Sequence, residues 1–389
     1  MPDDANASGV IVLEKYDIHY GNNEIFLIDM STGEDILLTL PEEKIGFLEI
    51  SPNRKYGAYS SAFYDVDGRI VERQLFITDA EGQRLKNIPW EDNWSTAIYW
   101  FDDNHLMIGS VTSEEEVEVF WKSRSWIILD PFSGEEWLLD PDTISGWGDW
   151  VAAAEEFTEL FAWRGWKSVA YDPSRTLVMY PRIINEDGEL ITYDLWDVSQ
   201  QQLIASLDSI INVNIAGDYC PVPDWSPDGS QFAIVGGVED MDTGEMTGRE
   251  LFRVTKDGHV EQLTQLGGYA KVWPTSHSWS PDGRYIALYI NSVDIPDDEA
   301  HLAVLDTETL TLTDYCMKVH AYDESFGDDT MRYQSPAPIW SPDGTQLLVV
   351  DRFLFYWNTV TWVDLEQGIV AQLIDDERIV GGWMLAPEE

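Results

Sequence analysis

Carboxylates placed two residues apart are the first groups in this sequence that could do chemistry. Asp65 and Asp67 stand shortly before one glycine, and Asp240 and Asp242 stand shortly before another. The same alternation is used in loops that bind Ca²⁺. Neither stretch has the glutamate that completes an EF-hand, and loop aspartates also form turns. We therefore expect no cofactor, with calcium as the one exception that the sequence leaves open and these four aspartates as its weak candidate ligands.

The sequence lacks the motifs of the commonest catalytic centres. It has no G-x-S-x-G nucleophile elbow, no H-E-x-x-H zinc motif, no phosphate-binding loop and no dinucleotide fingerprint. Its two cysteines, Cys220 and Cys316, form no C-x-x-C pair, so we expect free thiols rather than a zinc or redox centre. A carboxylate pair for glycoside cleavage stays open, because 71 acidic residues single out no pair.

The net charge of the chain limits the classes of partner that it can bind. The formal net charge is −48, from 71 acidic and 23 basic residues among 389. Phosphate contacts need a basic surface, so we expect no nucleic-acid partner. A basic protein surface, a cation or a neutral glycan fits better, although the acidity can also serve solubility alone. The sequence has no run of 18 apolar residues, so we expect no membrane insertion.

A turn with one spelling recurs along the chain and shows which elements position these groups. In Trp-Ser-Pro-Asp-Gly, proline presets φ at the second turn position and glycine can adopt a positive φ. The turn therefore joins two antiparallel strands, called a and b, and the tryptophan on strand a can pack against a neighbouring sheet. The structural residues of the three strict copies are Trp225, Pro227, Gly229, Trp279, Pro281, Gly283, Trp340, Pro342 and Gly344.

A second element follows each copy of the turn, including four degraded copies. It is an apolar strand c, a tight turn and a strand d. The first turn residue is, in order, Asp29, Asp79, Asp130, Asp197, Thr255, Asp306 and Asp364. Seven units of four strands each, repeated every roughly 40 to 70 residues, predict a β-propeller.

The two ends of the chain complete each other in this pattern. The first c–d pair follows a b strand that has no a strand, and the last residues form an a strand alone. We therefore predict an all-β, single-domain, seven-bladed β-propeller of four-stranded antiparallel blades, closed by N- and C-terminal strands that share one blade. The predicted blades are 379–387 with 11–40, 46–88, 97–139, 168–206, 222–264, 277–316 and 337–374.

The longest insertion covers 140–167 and is predicted to be helical over 149–162. Within it Trp150, Ala154, Phe157 and Phe161 follow the spacing of one apolar helix face. Such a helix packs over the propeller or serves as a lid or docking element.

The Trp-Ser-Pro-Asp-Gly turns, followed by Asp-x-x-x-Gly turns, resemble the TolB-like, WD-like β-propeller repeats of bacteria. The resemblance covers most of the chain and is strongest over 222–375, although the Gly-His and Trp-Asp marks of WD repeats are absent. It implies a propeller fold, often in exported or envelope proteins, and carries no catalytic residues. The first ten residues lack the regions of a signal peptide. We expect a periplasmic or secreted protein whose leader is not in this sequence, and otherwise a cytoplasmic one.

Strand order assigns the variable loops to one rim, because b–c and d–a loops emerge opposite the stereotyped turns. The b–c loops are acidic, as in 112–119 and 238–250, and the d–a loops are long and aromatic, as in 319–336. Acidic and aromatic groups around a concave mouth suit a sugar, a cationic peptide or a protein loop, although a single aromatic can equally cap a blade. The candidate binding residues are Trp90, Trp94, Trp150, Tyr269, Trp273, His277, His320, Tyr322 and Tyr333.

The regular repeat, the missing catalytic motifs and this rim together predict a non-catalytic binding or scaffold propeller that engages a protein or glycan partner. The alternative is a propeller-type glycosidase or lyase, possibly calcium-dependent, whose carboxylates line the channel.

Overall fold

A computed structural model describes most of the repeat and leaves out many of the loops. The described residues are 7–17, 22–39, 43–64, 70–91, 94–111, 124–139, 170–174, 176–184, 190–197, 200, 202–213, 223–239, 246–266, 272–292, 299–320, 336–353 and 357–386. None of these residues is helical, and they include no helix able to cross a membrane. The predicted helix over 149–162 and the whole 140–167 insertion lie outside the described residues.

The strands come in chain order as groups that reflect the repeat. The first eleven are β1 (Val10–Asp17), β2 (Asn22–Asp29), β3 (Asp35–Leu37), β4 (Glu43–Ile50), β5 (Gly57–Tyr64), β6 (Ile70–Thr78), β7 (Arg84–Pro89), β8 (Trp94–Trp100), β9 (Leu106–Val111), β10 (Arg124–Leu129) and β11 (Glu136–Leu139). The next nine are β12 (Ala170–Tyr171), β13 (Leu177–Ile183), β14 (Leu190–Asp197), β15 (Gln202–Ser206), β16 (Asn212–Val213), β17 (Asp224–Trp225), β18 (Gln231–Glu239), β19 (Met246–Thr255) and β20 (Val260–Gln262). The last nine are β21 (Val272–Trp279), β22 (Tyr285–Ser292), β23 (Glu299–Asp306), β24 (Thr311–His320), β25 (Ile339–Trp340), β26 (Gln346–Phe353), β27 (Trp357–Asp364), β28 (Ile369–Asp376) and β29 (Arg378–Met384).

These strands pair into seven sheets, each in the order a-b-c-d. The sheets are β29-β1-β2-β3, β4-β5-β6-β7, β8-β9-β10-β11, β12-β13-β14-β15, β17-β18-β19-β20, β21-β22-β23-β24 and β25-β26-β27-β28, with β16 added beside β14. We number them blades 1 to 7 in this order. They are the four-stranded antiparallel blades of a seven-bladed β-propeller, so the predicted fold class is confirmed.

Blade 1 is closed as the sequence predicted. Strand β29 pairs antiparallel with β1, with Val10 opposite Met384 and Lys15 opposite Arg378. The backbone N–H of Leu385 then donates to the carbonyl of Arg54, in the degraded turn of blade 2. The C-terminal strand therefore contributes the a strand of the first blade, which would otherwise present an unpaired edge.

The chain divides into two compact units. One consists of Met1–Thr143, Ser341–Leu348 and Tyr356–Glu389, and the other of Ile144–Trp340 and Val349–Phe355. Blades 1 to 3 belong to the first unit and the described strands of blades 4 to 6 to the second, while the boundary passes through the strands of blade 7.

The strict turns form the compact hydrogen-bonded structure that their sequence predicts. The N–H of Gly229 donates to the carbonyl of Ser226 at 2.8 Å, and Gly229 adopts a φ of 66°. The hydroxyl of Ser226 donates to Asp228 at 2.6 Å. The copies at Ser280 and Ser341 repeat both bonds. A positive φ at the fourth position explains the glycine, because a Cβ there would be strained.

The c–d turns are equally self-contained. In each aspartate copy the carboxylate accepts backbone N–H groups from the turn that it starts, as Asp79 does from Glu81 at 3.0 Å and from Gln83 at 2.8 Å. In the copy without aspartate, the hydroxyl of Thr255 donates to Asp257 instead. Side chains at this end of each blade thus satisfy local backbone groups.

Apolar faces of adjacent blades pack together within each unit. In the first unit Ala58 and Leu75 of blade 2 pack with Ile98 and Leu106 of blade 3. In the second, Val235 and Leu251 of blade 5 pack with Leu288 of blade 6. Burial of such faces is the main favourable contribution to folding.

Tryptophans at the end of strand a connect one blade to the next. The indole N–H of Trp100 donates to the carbonyl of Glu49 at 3.3 Å, in the preceding blade. Trp279 makes the same bond to Asp224 at 2.9 Å, and Trp340 to Ser278 at 3.1 Å. We call this bond the indole latch; it gives a reason for a tryptophan before the turn, because the indole combines a large apolar surface with an N–H donor.

The latch leads to a prediction for Trp340→Phe. Trp340 is 1% exposed, so the substitution leaves the carbonyl of Ser278 without its donor and a gap in the seam. We expect a loss of about 2–3 kcal/mol in the free energy of unfolding, measured by urea denaturation. Trp137→Phe is the control, since Trp137 is 42% exposed and should change stability by less than about 0.5 kcal/mol. Equal losses in both variants would contradict the role of the latch.

Candidate functional site

Each blade has two ends of different chemistry, and the candidate site belongs to one of them. In blade 5, Gln231 pairs with Thr255 near the turns, and Glu239 pairs with Met246 at the other end. The b–c loop leaves from this second end, and the d–a connection begins and ends there because strands alternate in direction. We call this end of each blade its loop edge, and the opposite end its turn edge.

Most of the predicted site residues fall on loops. Those outside the described residues are Asp65, Asp67, Trp150, Asp240, Asp242, Tyr269, Tyr322 and Tyr333. Trp273 lies in β21 opposite Asn291, and His320 ends β24 opposite Glu299, so both backbones are at the loop edge of blade 6. The binding role of all these residues stays a prediction.

Trp90 and Trp94 are brought together where blade 2 leads into blade 3. Their ring centroids are 5.8 Å apart in an edge-to-face arrangement, and the indole N–H of Trp90 donates to the carbonyl of Trp94 at 3.3 Å. Trp94 is buried in the core between the two blades, whereas Trp90 is half-buried against it. Trp94 is therefore the buried member of the pair, and Trp90 is the member whose indole is partly exposed at the loop edge.

His277 is placed inside the seam between blades 5 and 6. Its side chain is buried, and its Nε2 lies 3.2 Å from the carbonyl oxygen of Ala233. Burial lowers the pKa of the imidazole below its ordinary value, although backbone hydrogen bonds oppose the shift. A neutral imidazole whose Nε2–H donates to Ala233 fits this position.

Arg182 forms the main charged arrangement at the loop edge of blade 4. Its Nε donates to Asp194 at 3.0 Å and its Nη2 to Asp208 at 2.7 Å. Asp194 is buried while Asp208 is well exposed, so the guanidinium joins an interior carboxylate to a surface one. The guanidinium of Arg182 is therefore held in place by two carboxylates, in a chain whose net charge is strongly negative.

Among the described residues of blade 2, Glu43 is the most deeply buried charged group. Its carboxylate accepts two bonds of 2.6 Å from Nη2 of Arg84, whose guanidinium lies 4.2 Å from the ring centroid of Phe76. Burial raises the pKa of the neighbouring Tyr59 to about 12, with the charge of Arg84 opposing and that of Glu43 adding to the shift. The ion pair compensates a carboxylate that would be costly to bury alone.

Several buried polar atoms have no hydrogen-bond partner within the structure. All of them lie on the middle strands b and c, and none belongs to a turn; they are on Tyr59, Ser61, Asp194, Tyr289, Asn291 and Asn358. Buried groups of this kind are commonly satisfied by ordered water. Sequence reasoning missed them, although a polar residue such as Asn291 inside the apolar run of a b strand was a usable signal.

The described residues do not assemble a metal centre. They contain no group of three or more His, Cys, Asp or Glu side chains able to hold an ion. Both candidate calcium loops lie outside the described residues, so calcium stays a prediction.

Comparison with known proteins agrees with the fold. No family model and no curated protein match the chain. The β-propeller domain of the Trilobed protease from Pyrococcus furiosus is 12% identical and aligns over 95% of this chain and 96% of its own, with a TM-score of 0.51. The chain has a β-propeller fold.

Two longer proteins also contain a similar structure. Puromycin hydrolase is 14% identical over 94% of this chain and 52% of its own, with a TM-score of 0.50. TolB from Acinetobacter baumannii is 12% identical over 96% of this chain, with a TM-score of 0.42. The chain spans 66% of the length of that TolB and about half of puromycin hydrolase. The β-propeller fold that the repeat motifs led us to expect is confirmed by the seven sheets and by the likeness to the Pyrococcus furiosus propeller domain.

The buried ion pair of blade 2 leads to a second prediction. Glu43→Gln removes the charge that compensates Arg84, and we expect the free energy of unfolding to fall by about 3 kcal/mol. The matched control is Glu299→Gln, because Glu299 pairs with the exposed Lys318 and should contribute about 0.5 kcal/mol. Denaturant unfolding of both variants tests this; a loss for Glu43→Gln no larger than the control would contradict it.

Proposed function

We propose that the protein is a non-catalytic binding or scaffold propeller, which engages a protein or glycan partner through the loop edges of its blades. One observation carries this proposal. At the turn edge, the Ser-Pro-Asp-Gly and Asp turns use their side chains to satisfy their own backbone. At the loop edge, the sequence places its acidic and aromatic residues, and Trp90 is only half-buried. Binding residues are commonly carried by variable loops on a rigid frame.

Charge favours a basic protein surface as the partner. The b–c loop between β9 and β10 contains Glu114, Glu115, Glu116 and Glu118. Lys122 is the one basic residue in the sequence of that loop, so the loop has a net negative charge. A surface of one sign raises the association rate with partners of the opposite sign, in a salt-dependent way. A neutral glycan stacked on aromatic side chains is the other form of the same proposal, and a calcium ion held by Asp65 and Asp67 or by Asp240 and Asp242 would fit either form.

We also propose an extracytoplasmic location, periplasmic or secreted. Its support is the resemblance of the repeat motifs to TolB-like propellers. Secretion of a reporter fusion that carries the natural upstream region of the gene would test it, and cytoplasmic retention would contradict it.

Two matched charge variants test the loop edge. In the first, Glu114, Glu115, Glu116 and Glu118 are changed to Gln. In the second, four exposed glutamates of the c–d turns are changed to Gln: Glu34, Glu81, Glu135 and Glu366. Both gain four charge units. We expect only the first to lose affinity, by about tenfold at low salt, for the proteins that the unchanged chain captures from source-cell extract.

The same variants define the failure of the proposal. Each captured protein is measured again by biolayer interferometry with purified components, and a glycan array is probed in parallel. Equal losses for the two variants would show attraction by net charge alone. A binding role would be contradicted if the unchanged chain bound neither a specific protein nor a glycan.

Trp90 provides an aromatic test at the same edge. Trp90→Ala removes the half-buried indole, and we expect at least tenfold weaker binding to the captured partner or glycan, as for an aromatic anchor. Trp137→Ala is the control, since Trp137 is exposed on strand d of blade 3. Thermal denaturation shows whether each variant is folded; unchanged affinity of a folded Trp90→Ala would remove this residue from the site.

A further inference from the structure

The seam between blades 6 and 7 contains two buried polar side chains that have a hydrogen-bonding atom without a partner among the described residues. Tyr289 is 1% exposed and its hydroxyl is unpaired, and Asn291 is 8% exposed with an unpaired Oδ1. Both belong to β22 and are two residues apart, so their side chains leave the same face of the blade. An unpaired polar atom is costly to bury, and this face of one strand buries two of them.

The face of β22 with these side chains is turned towards blade 7. Tyr285, which shares this face with Tyr289, stacks on Trp340 of β25 with ring centroids 6.5 Å apart. Ile290 is on the alternate face and packs against the apolar core between blades 5 and 6. Tyr289 and Asn291 therefore point into the seam with blade 7.

Asp351 is the residue of blade 7 that faces this pair. Strands β22 and β26 both begin at the fifth residue after the serine of a strict turn, so Asp351 takes the position of Ile290. Ile290 faces the preceding blade, and Asp351 therefore faces blade 6. Burial raises the pKa of Tyr289, and the charge of Asp351 adds to the shift, as expected of two groups that lie close together. We call Tyr289, Asn291 and Asp351 the polar cluster; all three belong to the second compact unit.

The seam between blades 5 and 6 shows that the fold does not require polar groups at these positions. In the alignment of the strict turns, Val235 takes the position of Tyr289. Ile290 takes that of Asp351. Val235 is fully buried in an apolar core, and Ile290 packs against that core. The polar cluster thus stands where an ordinary seam of this propeller has apolar contacts.

The polar cluster lies near the loop edge. Strand β22 runs from Tyr285 at the turn edge to Ser292 at the loop edge, so Asn291 is next to its last residue. Asp351 is half-buried, whereas Tyr289 is almost completely buried. A group that entered from the loop edge would meet Asp351 and Asn291 first and the hydroxyl of Tyr289 last.

Three acceptor groups with one negative charge match a primary ammonium group, which has one positive charge and three N–H donors. The Oδ1 of Asn291, the phenolic oxygen of Tyr289 and the carboxylate of Asp351 can each accept one of these donors. A carboxylate has about four acceptor positions, so Asp351 can bind an ammonium in addition to its contacts inside the chain. A guanidinium has more donors in a planar fork, and Ca²⁺ takes roughly six to eight oxygens, so both fit less well.

The lysine and arginine side chains described in blade 6 are bonded at other places. Lys318, on the outer strand β24, donates to Glu299 at 2.6 Å. Arg284, at the turn edge, donates to Asp306 at 2.8 Å. Neither of them is therefore the cation for which the polar cluster is suited.

We propose that the polar cluster binds a primary ammonium group, either from a lysine side chain of a partner protein or from a free alkylamine. The hydroxyl of Tyr289 and the Oδ1 of Asn291 accept its N–H donors, and Asp351 supplies the opposite charge. The lysine form rests on the proposed binding function, whereas the free-amine form goes beyond it.

Titration of the purified full chain with two small cations tests the site. The probes are n-butylammonium and n-butyltrimethylammonium, which has the same charge but no N–H donor. Binding is followed by ligand-detected saturation-transfer NMR at physiological ionic strength, where general attraction to an acidic protein is screened. We expect saturable binding of n-butylammonium, with a dissociation constant at least about tenfold lower than that of n-butyltrimethylammonium.

Single variants assign the binding to the polar cluster. Tyr289→Phe and Asn291→Leu each remove one acceptor, and Asp351→Asn removes the charge; we expect each to weaken n-butylammonium binding by about tenfold. Tyr315→Phe on β24 and Glu308→Gln in the c–d turn of blade 6 make the same chemical changes elsewhere and should not change it. Tyr289→Phe deletes a hydroxyl without a partner and should fold like the unchanged chain, so it decides even if Asp351→Asn does not fold.

A peptide with blocked ends and a single lysine distinguishes the two sources of the ammonium group, with its Nζ-acetylated form as the control. Binding of both the lysine peptide and n-butylammonium supports a lysine side chain as the ligand. Binding of n-butylammonium alone supports a free amine.

The proposal is overturned if n-butyltrimethylammonium binds as tightly as n-butylammonium, or if neither cation binds in a saturable way. It is also overturned if Tyr289→Phe and Asn291→Leu both bind n-butylammonium like the unchanged chain, because water alone would then occupy the polar cluster. None of these outcomes depends on capture of a protein from extract, so a failure of this site and a failure of the proposed function are separate results.

Discussion

The hydrogen bond from a tryptophan indole to the carbonyl of the preceding blade is the interaction that defines three seams of this propeller, those between blades 2 and 3, 5 and 6, and 6 and 7. A flat apolar ring alone would fill the space between two sheets but would not define their register. The N–H of the indole has to find an acceptor when it is buried, and the carbonyl at the end of the neighbouring a strand is the one within reach. Packing and register are therefore set by the same side chain, which explains why a residue next to the turn recurs together with the turn.

The two ends of each blade divide structural and functional tasks. Turn-edge side chains such as Asp79 and Ser226 accept hydrogen bonds from backbone N–H groups a few residues away, so a partner would compete with the fold for them. Most loop-edge residues lie outside the described residues, and the middle strands b and c contain buried polar atoms that have no hydrogen-bond partner among the described residues. A binding surface can vary at this edge without disturbing the frame.

Repeat spacing and turn chemistry were sufficient to predict the class of fold, the number of blades and the closure of blade 1. These features follow from local patterns. A turn with the residues of Pro227 and Gly229 joins two antiparallel strands in each copy, and the unpaired strands at the two ends of the repeat can complete one blade by pairing with each other. The pairing of Glu43 with Arg84 was not predictable, because 41 positions separate them and many other acids were available. Nor was the seam environment of His277, which sequence order placed on the functional rim although its ring points at a backbone carbonyl of blade 5. Contacts across seams depend on how two sheets pack, and a period in the sequence contains no information about individual side chains there.

The pairing of β29 with β1 has a consequence for the order of events in the cell. Strand β1 is synthesised before the six blades that follow it, and its inner edge has no partner until β29 has been made. While those blades are being translated, the first blade exposes an unpaired strand edge, which is a template for pairing with other chains. Closure then has to bring together two strands that are far apart in sequence, and contacts of such long range form slowly.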